Sequence, residues 1–391
     1  MKIDDILKKG LKDFKNEDQT GVKNDLFNAI KESLMHQFKG CGLYRQICKQ
    51  QNFNPNTDLK SLDDLAKIPY ITTANFKQQK GSPKKFLTVP ESEIQVWSRS
   101  TGTSGDPSIV GRDHTNILRY VNMFSNVIED VGLDNYYWSL MFIPEPQKEY
   151  GIDDKIKDPT IMFSLMMHFV NTSEEKVYCL KMPSPEAIKQ GKKIEFDAQK
   201  TFGFLSSNPS QKGIGWITGS VPLMYKILSG YHQQTGQVFD IGEESVILTG
   251  GGWKTFQGEA ISPEEFRRDM AKILGISKKN VKDIYSFSES DVIFVECEEH
   301  NKHTYPWQDI IVRDVETLEP VEMGEKGLAN LINPLAHSYA GVSILQDDIV
   351  RIVSEDDCPC GRKGKIIEVI GRAEGAEAKG CGVQLADETA T

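Results

Sequence analysis

The sequence predicts an α/β fold whose second half is rich in strands. Three observations carry that expectation: helical spacing of apolar residues near both 25–38 and 116–131, glycine turns that follow short apolar runs, and β-like segments crowded between Val281 and Ile370. With 391 residues, 39% of them hydrophobic and 26% charged, the chain can bury a sizeable core. A formal net charge of -10 excludes nonspecific nucleic-acid binding, which needs a basic surface.

The N-terminal run MKIDDILKKGLKDFKNEDQT has no apolar core of the signal-peptide kind, and no apolar run reaches about eighteen residues, so no membrane span is expected. Seven cysteines without an export signal read as reduced thiols or metal ligands, which points to the cytoplasm.

Taken in order, Leu26, Ile30, Leu34 and Phe38 mark an amphipathic helix with Asn24 or Asp25 as its cap, and Leu59, Leu62 and Leu65 repeat the pattern until Ile68-Pro69 ends it. Ile94 to Trp97 reads as a strand entering a polar loop, and Asn116 to Val131 as a helix beneath that loop. Trp138 to Ile143 is a buried strand. Ile161 to Val170, rich in methionine and phenylalanine, is a buried helix that serves as plain core or as the wall of an apolar substrate pocket. Ile214 to Ser220 and Val246 to Leu248 are strands. Ser262, Pro263 and Glu265 form a capping box before a helix ended by Gly275, with Phe266, Met270, Ile273 and Leu274 on its buried face. Further strands are expected at 281–285, 292–295, 310–312, 328–332, 342–345, 349–353 and 366–370. The expected organisation is a helical lead-in at 1–95, a body at 96–370 and a short mobile tail at 371–391.

The loop WSRSTGTSGDPS is the centre of interest. Ser100, Thr101, Thr103 and Ser104 surround Gly102 and Gly105, and glycines let backbone N–H groups converge on an anion while hydroxyls add donors. It lacks the lysine of a Walker loop, and taken alone it also fits a polar surface turn. Gly250, Gly251 and Gly252 form a surface free of side chains, suited to close approach by another chain segment or by a planar ligand.

These two stretches, followed by Tyr285-Ser286-Phe287-Ser288-Glu289, then Asp348 and Gly371-Arg372, resemble in their order the adenylate-forming superfamily, which activates carboxylates with ATP. Within it, the stretches IPYITTANFK, LTGGGWK and GRAEGAEAKGC are similar to the LuxE-type acyl-protein synthetases of bacterial bioluminescence, over most of the chain. The resemblance implies the large N-terminal domain of an adenylate-forming enzyme with a truncated C-terminal tail. It implies that Ser100 to Gly105 hold the β- and γ-phosphates, Gly250 to Gly252 the adenine and Asp348 the ribose hydroxyls, with Tyr285 and Ser286 also binding the nucleotide. Glu289 ligates Mg²⁺, and Arg372 offers a permanent positive charge to the adenylate. Gln346 stands where the family carries threonine. It also implies that Cys381 is the acyl acceptor rather than an inert tail thiol, and Lys379, two residues away, either favours its thiolate or is an ordinary solvated lysine.

Only nineteen residues follow Arg372, fewer than the lid of a coenzyme A ligase would need and enough for a tail that is itself acylated. The expected activity is formation of acyl-AMP from a long-chain fatty acid or another hydrophobic carboxylic acid, transfer to Cys381, and delivery to an acyl reductase. The alternatives are a phenylacetate-type ligase forming acyl-CoA and an inactive binding protein. Separately, Cys297, His303, Cys358 and Cys360 suit a closed tetrahedral Zn²⁺ site, with His303 preferred over His300. Cys41, Cys48 and Cys179 are expected to be buried, and His114 and His337 to be structural.

Overall fold

The computed structural model describes residues 2–11, 14, 18–100, 106–145, 172–181, 183–184, 191, 193–252 and 260–373. They form two compact units. One takes the described residues up to Val127 together with those from Tyr285 onward, and the other those between Ile128 and Ile284.

Helix α1 (Lys2–Lys8) buries Ile3, Ile6 and Leu7. Helix α2 (Gln19–Gly40) begins before the expected cap. Asp18 is the N-cap, its carboxylate accepting the Thr20 N–H, so Asn24 and Asp25 lie inside the helix, where no orphaned donor needs them. Its stripe of Leu26, Ile30 and Leu34 is buried, as the spacing predicts. Helix α3 (Gly42–Gln50) buries Tyr44 and Cys48. The segment Leu62–Lys67 is a 3₁₀ turn and ends at Ile68. After β1 (Ile71–Thr72), strands β2 (Ile94–Arg99) and β3 (Ile109–Asp113) pair antiparallel as a hairpin. Asp113 then receives the Asn116 N–H and opens α4 (His114–Asp130).

The second unit is a parallel sheet with helices. Its elements are β4 (Trp138–Pro144), β5 (Glu175–Lys181), β6 (Glu195–Phe196), α5 (Ala198–Leu205), β7 (Gly215–Ser220), α6 (Val221–Thr235), β8 (Val246–Gly250), α7 (Pro263–Leu274) and the part of β9 (Val281–Ser286) up to Ile284, the residues from Tyr285 belonging to the first unit. These strands belong to a seven-stranded sheet of order β10-β9-β8-β7-β4-β5-β6, with β10 at Ile293–Val295; from β9 to β5 neighbours run parallel, and β6 is antiparallel to β5. Ser262 Oγ receives the Glu265 N–H at 3.1 Å, and Gly275, with φ +68, closes α7 in the left-handed conformation expected of a C-terminal glycine. Trp138 is wholly buried, and a Cβ on Gly215 of the neighbouring strand would overlap its ring. Gly215→Ala is therefore expected to destabilise the protein by about 1–3 kcal/mol through overpacking. A lowered urea midpoint checks this; an unchanged midpoint would mean that the indole relocates freely.

The chain returns to the first unit with β10 (Ile293–Val295), β11 (Lys302–His303), β12 (Asp309–Arg313), β13 (Lys326–Ile332), β14 (Ser343–Glu355) and β15 (Lys365–Arg372). Strands β11-β15-β14-β13-β12 form an antiparallel sheet, and β1 adds to β14 in parallel. The two strands expected at 342–345 and 349–353 are one. Gln346, Asp347 and Asp348 interrupt the apolar pattern, but register shifts at Leu328/Asn330 on β13 and at Ile349/Val350 let β14 run through them.

Candidate functional site

Three residues far apart in sequence meet at the middle of β14. Asp348 is buried and lies opposite Arg372 on β15, with the Arg372 Nε 3.3 Å from its Oδ1. Its other oxygen accepts the Tyr285 hydroxyl at 3.1 Å. Burial and the Asp348 charge push the Tyr285 phenol well above its ordinary range, so it stays a neutral donor. Beside them, Gln346 is buried, and its Nε2 has no hydrogen-bond partner among the described residues. A buried amide donor of this kind calls for an acceptor.

Glu289, in the turn after β9, is also buried. That turn is held by an ionic network that the sequence motifs do not reveal. Arg112, wholly buried on β3, places Nε and Nη2 each 2.8 Å from Asp291 Oδ1, donates from Nη2 to the Ser288 carbonyl at 2.9 Å, and from Nη1 to Ser98 Oγ. Asp291 Oδ2 accepts from Asn116 Nδ2 and from the Tyr339 hydroxyl, both at 2.9 Å. All lone pairs of this interior carboxylate therefore meet donors, the condition under which a buried ion pair is tolerated. Only a separation of 179 residues hid this pair from sequence reading.

Strands β2 and β3, paired antiparallel, flank the hydroxyl and glycine stretch in the sequence. The expected strand, loop and helix order is interrupted by β3, which stands between the loop and α4. Thr101, Gly102, Thr103, Ser104 and Gly105 lie outside the described residues. Ser100 closes the stem: its N–H donates to the Ser108 carbonyl at 2.9 Å, and its Oγ accepts the Ser108 N–H at 2.8 Å. Gly250 ends β8 in register with Ile284, and Gly251 and Gly252 have φ +91 and +57, conformations that glycine adopts without strain. Among the described residues, no atom lies within 4 Å of a Cβ placed on Gly252. Ser286 follows Tyr285 in β9 and is half-buried. Lys379, Cys381 and the expected helix at 161–170 lie outside the described residues.

The thiols divide into two groups. Cys41, Cys48 and Cys179 are buried, and burial pushes Cys48 up to about 11 and Cys179 up to about 12, so they are inert. Cys297, His303, Cys358 and Cys360 converge, with their ligand atoms all within 4.8 Å of one another. Tetrahedral zinc with Zn–S of about 2.3 Å and Zn–N of about 2.0 Å requires S···S near ~3.8 Å and S···N near ~3.6 Å. The Cys297 and Cys358 sulfurs are 3.9 Å apart, and Cys360 Sγ is 3.6 Å from His303 Nε2. Burial lowers His303 to about 4, which keeps its imidazole neutral and able to bind metal. Asn301 Nδ2 and the Arg362 N–H donate to the Cys358 and Cys360 sulfurs. His300 turns instead to Glu296, at 3.5 Å. His337 bonds Asp113 at 2.7 Å and stacks on His36, a structural role.

Comparison with known proteins places the chain in a family. A family model described as "Acyl-protein synthetase, LuxE" matches residues 2–390. The chain is 28% identical over 372 residues to the long-chain-fatty-acid–luciferin-component ligase of Aliivibrio fischeri, covering 95% of this chain and 89% of that one. Against the Vibrio harveyi protein of the same name, identity is 26% over 360 residues, 91% and 86% of the two chains. A phenylacetate-coenzyme A ligase from Pseudomonas putida matches 28% of this chain and 25% of its own length, at 31% identity. Among solved structures, 2-hydroxyisobutyryl-CoA ligase superposes with TM-score 0.61 at 14% identity, over 90% of this chain and 69% of that one, which establishes a shared fold. The chain belongs to the LuxE acyl-protein synthetase family.

Proposed function

We propose that the protein activates a long-chain fatty acid with ATP and carries the acyl group on its own Cys381. The observation that carries this reading is the convergence of Tyr285, Asp348 and Arg372 on β14 and β15 in a chain of this family. In the first step a carboxylate oxygen attacks the α-phosphorus and the bond to pyrophosphate breaks, leaving acyl-AMP. In the second the Cys381 thiolate attacks the acyl carbon and AMP leaves, so the product is a protein thioester.

The chain's residues divide the work. Ser100 to Gly105 hold the pyrophosphate moiety, and Gly250 to Gly252 offer a planar purine a surface without side chains. Asp348 accepts hydrogen bonds from ribose hydroxyls, and Arg372 balances charge on the adenylate. Glu289 is the carboxylate suited to hold Mg²⁺, which when bound neutralises phosphate charge. Lys379 favours the thiolate of Cys381. The acyl group then passes to an acyl reductase. Cysteine usage in the sequence is the basis for placing it in the cytoplasm; among the described residues, no helix is long and apolar enough to cross a membrane.

Incubation with ATP, Mg²⁺ and radiolabelled tetradecanoate, followed by denaturation, tests this. Label on the protein that hydroxylamine releases is expected, and Cys381→Ala should lose it while keeping fatty-acid-dependent ATP–pyrophosphate exchange. Equal labelling of Cys381→Ala would remove the acceptor assignment, and transfer only to added coenzyme A would favour the phenylacetate type.

We further propose that Cys297, His303, Cys358 and Cys360 bind one structural Zn²⁺. Its donor set and separations support this, and it would tie the turn after β10, strand β11 and the β14/β15 hairpin together without taking part in the chemistry.

A further inference from the structure

The stretch IPYITTANFK plays no part in the chemistry above, yet it touches both ends of the nucleotide site. At one end, β1 runs along β14, with Ile71 opposite Ile344 and Thr72 opposite Leu345. Thr73 Oγ1 donates to Asp347 Oδ2 at 3.0 Å, and Asp347 is the neighbour of Asp348. At the other end, Lys77 bridges to Ser108, its Nζ donates to the Asp106 carbonyl at 3.1 Å, and the Gln78 N–H donates to the Pro107 carbonyl at 2.8 Å. The Asp106 carboxylate accepts the Gln79 and Lys80 N–H groups at 2.8 and 3.0 Å.

The segment between these ends is stiff. A 3₁₀ turn spans Thr73–Phe76, Asn75 Nδ2 donates to Thr72 Oγ1 at 3.0 Å, and Phe76 is buried against Phe86 and Tyr339. The chain then folds back so tightly that a Cβ on Gly81 would lie 2.5 Å from the Asn75 carbonyl oxygen and 2.6 Å from that of Lys77. Hydrogen bonds at both ends and a tightly folded segment between them suit this stretch to act as a spacer of fixed length.

We propose that residues 71–80 are a brace that fixes the stem of the hydroxyl and glycine loop relative to Asp348, making Thr73, Lys77 and Asp106 positioning residues for ATP. The inference rests on the nucleotide reading of the site. Phosphoryl chemistry is sensitive to this because misplacement by about 1 Å can cost on the order of a hundredfold in rate. Lys77 also supplies, from a distant part of the chain, a buried cation at the loop stem that has no lysine of its own.

The test is ATP–pyrophosphate exchange with tetradecanoate on the full chain, with KM measured for each substrate. Thr73→Val keeps the shape and removes the hydroxyl; Asp106→Ala removes the acceptor at the other end. Each is expected to raise KM for ATP about tenfold and leave KM for tetradecanoate within about twofold. Thr73→Ser should restore wild-type values. The double variant should be no worse than the worse single, because a brace cut at one end has already lost its function. Equal rises in both KM values, failure of Thr73→Ser to rescue, or additive effects would overturn the brace. Wild-type protein that shows no exchange at all would overturn the nucleotide reading beneath it, so the two failures are distinguishable. Thermal midpoints within about 2 °C of wild type for Thr73→Val support positioning over simple unfolding.

Discussion

Replacing Arg112 with methionine is expected to destabilise the protein by about 3–5 kcal/mol, because it leaves the buried Asp291 charge without its cation. Asn116 and Tyr339 still donate to that carboxylate, but neither carries charge. The guanidinium also holds the Ser288 carbonyl next to Glu289, so exchange activity should fall further than the folded fraction accounts for. Arg112→Lys is expected to rescue poorly, since three N–H groups on one nitrogen cannot span Asp291, the Ser288 carbonyl and Ser98 Oγ as the planar guanidinium fork does. Combining Arg112→Met with Asp291→Asn removes the orphaned charge and should recover more than half of the lost stability. Urea unfolding checks all three, and a single Arg112→Met variant within about 1 kcal/mol of wild type would show that the pair is dispensable.

Stripping metal from the Cys297, His303, Cys358 and Cys360 site is the second large effect. The purified chain is expected to hold one zinc ion, and removal by a chelator under reducing conditions should lower the thermal midpoint by about 10 °C, equivalent to a few kcal/mol. The loss is local before it is global. Cys358 and Cys360 occupy the turn that joins β14 to β15, the two strands that carry Asp348 and Arg372, so KM for ATP should rise as metal leaves. Cys358→Ser should not retain zinc, whereas His300→Ala should, because His300 faces Glu296. Metal analysis by mass spectrometry settles both, and zinc retained by Cys358→Ser would reject this ligand set.

Much of the fold was legible because it is written in short-range patterns. The α7 cap and stop at Ser262 and Gly275, the buried faces of α2 and α7, and the strand segments follow from spacing within a few residues. Where the reading slipped, a local signal competed with one further along the chain. Asn24 and Asp25 are good capping residues, but Asp18 reaches the free N–H groups first. Three polar residues split β14 on paper, while pairing on both sides holds it together as one strand.

The site divides the same way. Which residues are proposed to carry the chemistry was read from the sequence alone, since the types and order of Ser100 to Gly105, Gly250 to Gly252, Tyr285, Asp348 and Arg372 are one-dimensional information. So was the ligand set of the proposed zinc site, whose members include the tight Cys358-Pro359-Cys360 knuckle. What only the tertiary structure decided is how these residues are held: Arg112 against Asp291, Tyr285 and Arg372 on Asp348, and the brace from Thr73 to Asp106. Such contacts have no period and no motif. They exist because sheet registry and burial bring together groups whose charges and donors must be matched once water is excluded.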